Sequence, residues 1–190
     1  PNERGRVEGL LLTWDCESPS HDPDPWDQLW LDIIDAAWDD AHLYLYIHHG
    51  GHSDAEDVAR CQQMLQQHTG RDPAAATWFD ETHDHRLDSI WIRDYGPFFV
   101  LDGEDALAIV DAHYVRYDRD DDDAQPAHFA SYLGVPRHEW GLATEGGNFL
   151  PNGHGLCLVS DTIIGLNPQY SIGEIEQLYE EYLGCSELVI

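Results

Sequence analysis

The stretch that decides the fold is SIWIRDYGPFF, residues 89 to 99, in which two opposite charges separate two apolar runs. The apolar residues on both sides predict one buried strand over 90–101, in which Gly96 and Pro97 turn the chain so that a strand end can line a pocket. Neighbours on a strand point to opposite faces, so a salt bridge between Arg93 and Asp94 does not fully explain the pair. One of the two is therefore expected to face a cavity or a ligand. The alternative is a structural Arg–Asp pair that closes the end of a strand.

The composition is that of a folded and strongly acidic chain. Its 190 residues are 42% hydrophobic and include seven Trp, and 37 acidic residues against nine Arg and no Lys give a net charge of −28. Such a charge disfavours binding to nucleic acid and to anionic membranes, and an acidic cleft attracts cations. Adaptation to a salty medium is the other source of the acidity. The sequence shows no apolar run of the roughly 20 residues that span a bilayer and no signal peptide, and it leaves the compartment open.

Helical and strand patterns alternate along the chain, which predicts an α/β fold built from repeated strand–helix–strand units. The expected strands are 9–14, 43–47, 76–79, 90–101, 106–115 and 187–190, and 156–166 is expected to form a hairpin. The expected helices are 25–41, 54–67, 125–133 and 172–183, with Ser53 as a cap and with Gly134 and Gly184 ending the last two. The acidic residues 118–123 are expected to form a loop.

A second segment, ATEGGNFLPNGHG at 143–155, places Glu145 before two glycines. Glycine allows backbone conformations and close approaches that are closed to other residues. Glu145 on its own is compatible with a simple turn. Together with Asp94, it forms a candidate pair of carboxylates for a cationic substrate or for acid–base chemistry.

Metal sites are weakly indicated. In YDRDDDD, residues 117–123, alternate aspartates resemble calcium ligands, but the Gly and Glu of an EF-hand are missing, so a solvated acidic loop is the favoured interpretation. The histidines lack the i, i+4 spacing of zinc enzymes, and helix capping explains the His-x-Asp element better than catalysis does. These histidines are His48, His49, His52, His83 and His85. The four widely spaced cysteines predict neither a disulfide framework nor a zinc site, and Cys61 and Cys157 are expected to act as small hydrophobes.

Four segments, IWIRDYGPFFV, YVRYDRDD, ATEGGNFLPNGHG and LNPQYSIGEIEQLYEEYLG, together resemble the bacterial peptidylarginine deiminase and agmatine deiminase family. The opening RVEGLLLTW also resembles the first strand of that family. The resemblance implies a partial five-bladed α/β propeller of the pentein type, with residues 1–190 as the N-terminal part of a single domain. It also implies hydrolysis of a guanidino group to a ureido group with release of ammonia.

The resemblance further implies a set of site residues. Asp94 would grip the substrate guanidinium, and Glu145 would contact the site or orient a catalytic His, so both are candidate catalytic residues. Asp94, Arg93 and Trp14 are the candidate substrate-binding residues, and no metal or cofactor is expected beyond the weak calcium possibility. The family's Gly-His-x-Asp segment and its late nucleophilic Cys are not in this sequence. The role of nucleophile is assigned to neither Cys157 nor Cys185. Residues 1–190 alone are therefore expected to show little or no activity.

The substrate stays open between two branches of the family. Trp14 is followed by Asp15 and Cys16, which departs from the agmatine deiminase pattern and favours a protein-arginine deiminase that converts arginine to citrulline. The alternatives are an agmatine deiminase of putrescine biosynthesis, a guanidinium-binding module without chemistry, and a calcium-dependent interaction domain. The expected partner is a small-molecule or peptide guanidinium, and neither nucleic acid nor membrane is expected.

Overall fold

The computed structural model describes residues 7–16, 23–48, 53–81 and 86–190, which divide between two compact units. The first unit covers Arg6–Ile92 and the second Arg93–Ile190. Within the described residues, no helix has both the length and the apolar character that crossing a bilayer requires.

The first unit is a parallel three-stranded sheet with two helices. Its strands pair in the order β1-β2-β3, and each helix lies in sequence between two of them. Both helices begin with a capping box, in which the aspartate at the cap and the aspartate three residues later bond to each other's backbone N–H groups. The elements are β1 (Gly9–Asp15), α1 (Pro25–Ala37), β2 (His42–His48), α2 (Ala55–Thr69) and β3 (Thr77–Phe79).

The second unit contains two sheets with the same topology. In each sheet the first two strands are antiparallel, and the third returns parallel to the second after a helical connection. The first sheet follows α3 (Ile92–Tyr95) and contains β4 (Phe98–Leu101), β5 (Leu107–His113) and β6 (Arg137–Ala143), with α4 (Asp120–Asp123) and α5 (Gln125–Leu133) between the last two. The second sheet contains β7 (Phe149–Pro151), β8 (Leu156–Val159) and β9 (Glu187–Val189), with α6 (Thr162–Leu166) and α7 (Ile172–Leu183) before β9. The α/β class and the repeated strand–helix–strand units are thus confirmed.

Two helices of the second unit, α5 and α7, follow their sequence signals closely. The structure places α5 and α7 at the predicted bounds, and each ends at a glycine in the left-handed region, Gly134 at φ 67° and Gly184 at φ 69°. Ser171 caps α7 in a capping box with Glu174. Local signals of this kind act within a few residues, which is why the sequence alone locates them.

Two strand predictions were wrong. The stretch 90–101 is not one strand, because Ile92–Tyr95 forms a helical turn and only Phe98–Leu101 is extended. The stretch Thr162–Leu166 is a helix and not the second arm of a hairpin, and the Ile163 N–H donates to the Ser160 carbonyl at its start. Short apolar runs do not distinguish helix from strand by periodicity, and tertiary packing decides.

Other bounds and caps also differ from prediction. Helix α2 ends at Thr69 instead of residue 67, and β5 covers Leu107–His113 instead of 106–115. Helix α1 ends at Ala37 instead of residue 41, where the Asp40 N–H bonds back to the Ala37 carbonyl in a turn. Asp54, not Ser53, caps α2. The acidic segment is partly helical, since Asp120–Asp123 forms one turn in which the Asp123 N–H donates to the Arg119 carbonyl.

The prediction that the cysteines form no disulfides was also wrong. Cys16 pairs with Cys61 in the first unit, and Cys157 pairs with Cys185 in the second, with Cα–Cα distances of 6.3 and 5.7 Å. All four cysteines are described, and none carries a free thiol. Cys16 follows β1 and bonds to Cys61 in α2, and Cys157 in β8 bonds to Cys185, which follows α7. Sequence spacing does not reveal that these residues are close.

Candidate functional site

The topology of the first sheet in the second unit brings three chain segments to one end. Strands β5 and β6 are parallel, so their carboxyl ends lie at the same edge. Strand β4 runs antiparallel to β5, so the segment that precedes β4 lies at that edge as well. Asp94 on α3, Tyr114 and Arg116 after β5, and Glu145 after β6 all occupy this edge. These four residues are called the carboxylate site below.

The two predicted motifs touch through the glycines of the second motif. A Cβ atom built at Gly146 would overlap the carbonyl oxygen of Arg93, and one built at Gly147 would overlap the carboxylate oxygen of Asp94. Any other residue at Gly146 would push the two segments apart, and one at Gly147 would force the Asp94 side chain or the backbone to shift. The Gly-Gly pair is therefore what allows the Glu145 segment to lie directly against Asp94.

Asp94 has an available carboxylate. The side chain is half-buried, and within the described part of the chain its carboxylate makes no hydrogen bond and no ion pair. The structural Arg93–Asp94 ion pair considered from the sequence is therefore not formed. Both residues lie on a helical turn, where successive side chains diverge by about 100°, so they still point in different directions.

Glu145 is buried and held by two donors from its own unit. Only 7% of the residue is exposed. One carboxylate oxygen lies 2.6 Å from the Arg116 guanidinium, and the other accepts a hydrogen bond of 3.2 Å from the Asn148 side-chain amide. The two carboxylates of the carboxylate site thus differ in state: Glu145 is neutralised by a resident cation, and Asp94 is not.

Tyr114 lies between these groups. Its phenol forms a hydrogen bond with Arg116, its ring centroid is 5.8 Å from that of Tyr95, and its backbone N–H donates to Asp123 over 2.6 Å. Burial raises the pKa of the Tyr114 hydroxyl, and the negative charges of Asp94 and Glu145 raise it further. The phenol therefore stays neutral at ordinary pH and keeps its proton available for donation.

A buried asparagine fixes the end of β6. The side chain of Asn167 accepts a hydrogen bond from the Ala143 N–H and donates to the Ala143 carbonyl, each over 2.8 Å, and also donates to Ile163. The register between β5 and β6 shifts just before this point, as in the β-bulges that re-aim a strand next to many active sites. The Thr144 hydroxyl lies 3.3 Å from that of Tyr179. These contacts determine where Glu145 emerges from the sheet.

Two predicted binding residues are placed differently. The side chain of Arg93 is exposed, and it is the backbone carbonyl of this residue that lies against Gly146. Trp14 belongs to the first unit, has no exposed surface, and donates its indole N–H to Asp27 over 2.9 Å. Burial raises the pKa of Asp27, although the Trp14 hydrogen bond opposes that shift. In this conformation Trp14 packs in the core of its unit and presents no surface to a ligand.

The other sequence candidates have structural partners. Asp122 is fully buried and lies 3.6 Å from Arg119, and Asp123 bonds to His113 and to the Tyr114 backbone, so these carboxylates do not converge as calcium ligands. Among the residues that the structure describes, no group of three or more His, Cys, Asp or Glu side chains is arranged to hold a metal ion.

The histidine candidates belong to the first unit or lie outside the described residues. His48 is 2.5 Å from Glu81, whose carboxylate also accepts the Ser53 N–H over 2.8 Å. The remaining four candidates, His49, His52, His83 and His85, lie outside the described residues.

Sequence reasoning missed Tyr114, Arg116 and Asn167. The first two lie in YVRYDRDD, a segment that counted toward the family resemblance but whose acidic part was examined only for calcium. An available signal is that Arg116 is one of only nine Arg in a chain with 37 acidic residues, which predicts an acidic partner for it on charge grounds alone.

Comparison with known proteins gives a consistent set of relatives. The sequence profile of the Porphyromonas-type peptidyl-arginine deiminase family matches residues 1–190. A putative agmatine deiminase of Streptomyces coelicolor is 32% identical over 117 residues, which is 56% of this chain and 34% of that protein.

Solved structures agree on the fold. The agmatine deiminase of Enterococcus faecalis superposes with a TM-score of 0.77 at 20% identity, over 99% of this chain and 51% of that one. A putative arginine deiminase from Porphyromonas gingivalis also gives a TM-score of 0.77, at 18% identity, over 100% of this chain and 55% of that one. The chain thus spans about half the length of the solved relatives and has their α/β fold.

Proposed function

Because the chain belongs to the Porphyromonas-type peptidyl-arginine deiminase family, we propose that its carboxylate site holds the guanidinium group of a substrate for hydrolysis. The observation that carries this proposal is the state of Asp94. Its half-buried carboxylate packs against Gly147 and makes no hydrogen bond or ion pair with the described residues. A planar cation with paired N–H donors is the ligand that such a carboxylate binds most specifically.

The reaction we propose is replacement of one guanidino nitrogen by oxygen. A thiolate adds to the central carbon, one C–N bond breaks, and ammonia leaves to give a thiouronium intermediate. Water then adds to the same carbon, the C–S bond breaks to release the thiol, and a ureido group remains. Asp94 would orient the delocalised cation and stabilise its charge, so that the central carbon stays electrophilic while it is attacked. Glu145, held by Arg116 and Asn148, would supply the second negative charge beside the substrate or orient the general base.

We do not assign the attacking group to this chain. Deiminase chemistry of the proposed kind needs a thiolate, and all four cysteines here are paired in disulfides. Residues 1–190 would thus be the N-terminal part of the enzyme, which binds the substrate guanidinium but has little or no turnover alone. The repeated topology of the two sheets in the second unit supports our proposal that they are blades of a five-bladed propeller.

For the substrate we propose arginine, free or in a peptide, with citrulline as the product. The family profile that spans the whole chain supports this choice. Agmatine is the second candidate, because curated relatives are named as agmatine deiminases. The two ligands differ at the end remote from the guanidinium, where arginine carries a carboxylate or, in a peptide, an amide carbonyl that agmatine lacks.

Isothermal titration of the 190-residue chain tests the proposal. Agmatine, arginine and Nα-acetylarginine amide would be titrated into the wild type, Asp94→Asn and Asp161→Asn. Asp161 is exposed and lies in the same unit, so its substitution changes the net charge equally without touching the carboxylate site. We expect binding that Asp94→Asn abolishes and Asp161→Asn leaves intact. Absence of binding by the wild type, or equal loss in both variants, contradicts the proposal.

A further inference from the structure

The Arg116–Glu145 pair reproduces the contact that a substrate would make. A guanidinium nitrogen of Arg116 lies 2.6 Å from a carboxylate oxygen of Glu145. We infer that Arg116 is a resident guanidinium, which neutralises Glu145 in this conformation and is displaced when the guanidinium of a substrate binds. The inference rests on the proposed function, because it assigns a competitor to the same carboxylate site.

The exposure of the two partners makes displacement feasible. The Glu145 side chain is 9% exposed, whereas that of Arg116 is 55% exposed and lies on the connection after β5. A buried carboxylate without a partner is costly, so Glu145 must always have a cation nearby. Exchange of one guanidinium for another satisfies that requirement, and Arg116 returns most of its surface to water.

The surrounding contacts keep Glu145 and Tyr114 in place when Arg116 leaves. Asn148 binds the second oxygen of Glu145, so the carboxylate keeps its position when Arg116 leaves. Tyr114 is buried and anchored through Asp123, and its hydroxyl holds Arg116 by a hydrogen bond. Tyr114 therefore acts as a positioning residue for the resident arginine.

The resident arginine lowers the affinity for every cation by the same factor, because any ligand must first replace it. A preference for guanidinium compounds comes instead from the carboxylates, with which a planar guanidinium makes paired hydrogen bonds and a compact ammonium group does not. Arg116 is therefore a competitor that sets the affinity of the carboxylate site.

Calorimetric titration with two simple probes tests this inference. Methylguanidinium chloride and methylammonium chloride would be titrated, at constant ionic strength, into the wild-type chain and three variants. Arg116→Ala removes the competitor. Tyr114→Phe removes the hydroxyl that bonds to Arg116 without changing the net charge. Arg137→Ala is the matched control, because it removes the same charge at the opposite end of β6, where Arg137 pairs with Asp111 and Glu139.

Displacement of Arg116 predicts a change in methylguanidinium affinity for the two variants of the carboxylate site and no change for the Arg137→Ala control. Arg116→Ala should bind methylguanidinium about five-fold more tightly, the gain expected when an ion pair that is closed in about four of five molecules no longer competes. The same variant should bind methylammonium more tightly by a similar factor, because both probes must displace Arg116. Tyr114→Phe should shift the affinity in the same direction by a smaller factor, and Arg137→Ala should bind as the wild type does.

Any other result contradicts displacement of Arg116, the role of Tyr114 or the proposed function. Unchanged or weaker binding by Arg116→Ala, or an equal gain in Arg137→Ala, refutes displacement while leaving Asp94-dependent binding intact. Weaker binding by Tyr114→Phe shows that Tyr114 contacts the ligand instead of holding Arg116. Absence of methylguanidinium binding in every variant refutes the proposed function together with this inference. Circular dichroism of each variant, checked before titration, verifies that the fold is retained.

Discussion

Gly147 and Asp94 show how one residue determines the chemistry of another. The absence of a side chain at Gly147 lets the second motif lie against the Asp94 carboxylate. This contact half-buries a charged group without giving it a counter-ion among the described residues. The ligand preference of the carboxylate site therefore depends on a glycine that has no functional group of its own.

Gly147→Ala should impair both ligand binding and stability. The added Cβ overlaps the Asp94 carboxylate oxygen, so either that side chain or the backbone must shift. We expect at least a ten-fold loss in methylguanidinium affinity, and a loss of about 1–3 kcal/mol in the free energy of unfolding from overpacking. Titration and urea unfolding measure the two quantities.

Gly173→Ala is the matched control for that substitution. Gly173 lies in α7, where an added Cβ meets nothing within 4 Å. Alanine there should stabilise the chain by up to about 1 kcal/mol, because it is the better helix former, and should leave affinity unchanged. Equal affinities for wild type and Gly147→Ala would contradict the close contact.

The residues that sequence reasoning identified and those it missed differ in the range of their interactions. Asp94 and Glu145 stand in short motifs with glycine and proline, and those motifs carried the family resemblance. The partner of Arg116 lies on a different strand end, and the partners of Asn167 lie on β6 and α6. Periodicity and turn chemistry describe neighbours along the chain, so they do not predict such pairs.

At the scale of elements, caps and glycine endings were predictable and apolar runs were not. Helix α7 begins at a capping box and ends at a left-handed glycine, and both signals are local. The runs at 90–101 and 162–166 contain apolar residues that fit either a helix or a strand. Their conformation depends on packing within the second unit, where α3 and α6 form short helical turns.

Tyr179 on α7 predicts a specific loss of stability at alkaline pH. Burial raises the pKa of its hydroxyl to about 12, although its contact with Thr144 lowers it slightly. An unfolded tyrosine ionises near pH 10, so between about pH 10 and 12 the unfolded state loses a proton that the folded state retains. Stability is therefore full below pH 10 and falls as pH rises to about 12, by about 2 kcal/mol.

Tyr179→Phe should remove that part of the alkaline loss, as measured by urea unfolding at pH 9 and pH 11. Tyr182→Phe is the control, because Tyr182 lies on the same helix and stacks on Trp140. If Tyr179→Phe loses as much stability as the wild type between the two pH values, the buried hydroxyl is not the cause.

At the scale of the whole molecule, each unit contains one disulfide. The two bonds have sequence separations of 45 and 28 residues, which correspond to chain-entropy contributions of about 4 kcal/mol each. Replacing Cys157 and Cys185 together by Ala should therefore lower the free energy of unfolding by roughly 3–4 kcal/mol. Urea unfolding of the oxidised double variant and of the wild type measures the difference, and identical midpoints would contradict the bond.

The net charge of −28 predicts that salt stabilises the chain. At least five of the seven arginines that the structure describes form ion pairs with Asp or Glu, and the 37 acidic residues far outnumber the nine Arg, so most carboxylates are left to repel one another. Raising KCl from 0.1 to 1 M shortens the Debye length from about 10 to about 3 Å. We expect Tm to rise by about 4 °C or more.

Calorimetry at several salt concentrations measures this effect, and pH provides the control. The rise in Tm should shrink as the pH is lowered toward the sequence pI of about 4.3, where the carboxylates lose charge. A Tm that is constant or falls with KCl at pH 7 would show that the acidic surface does not limit stability.

The most direct test of the central claim is an NMR titration of the ¹⁵N-labelled chain with methylguanidinium chloride. The claim is that Asp94 and Glu145 bind a guanidinium group at one edge of the first sheet in the second unit. The account predicts saturable shifts of the Asp94, Tyr114, Gly146 and Gly147 amides, which Asp94→Asn abolishes and an equal concentration of KCl does not reproduce. Shifts confined to other residues, or shifts that persist in Asp94→Asn, would contradict it.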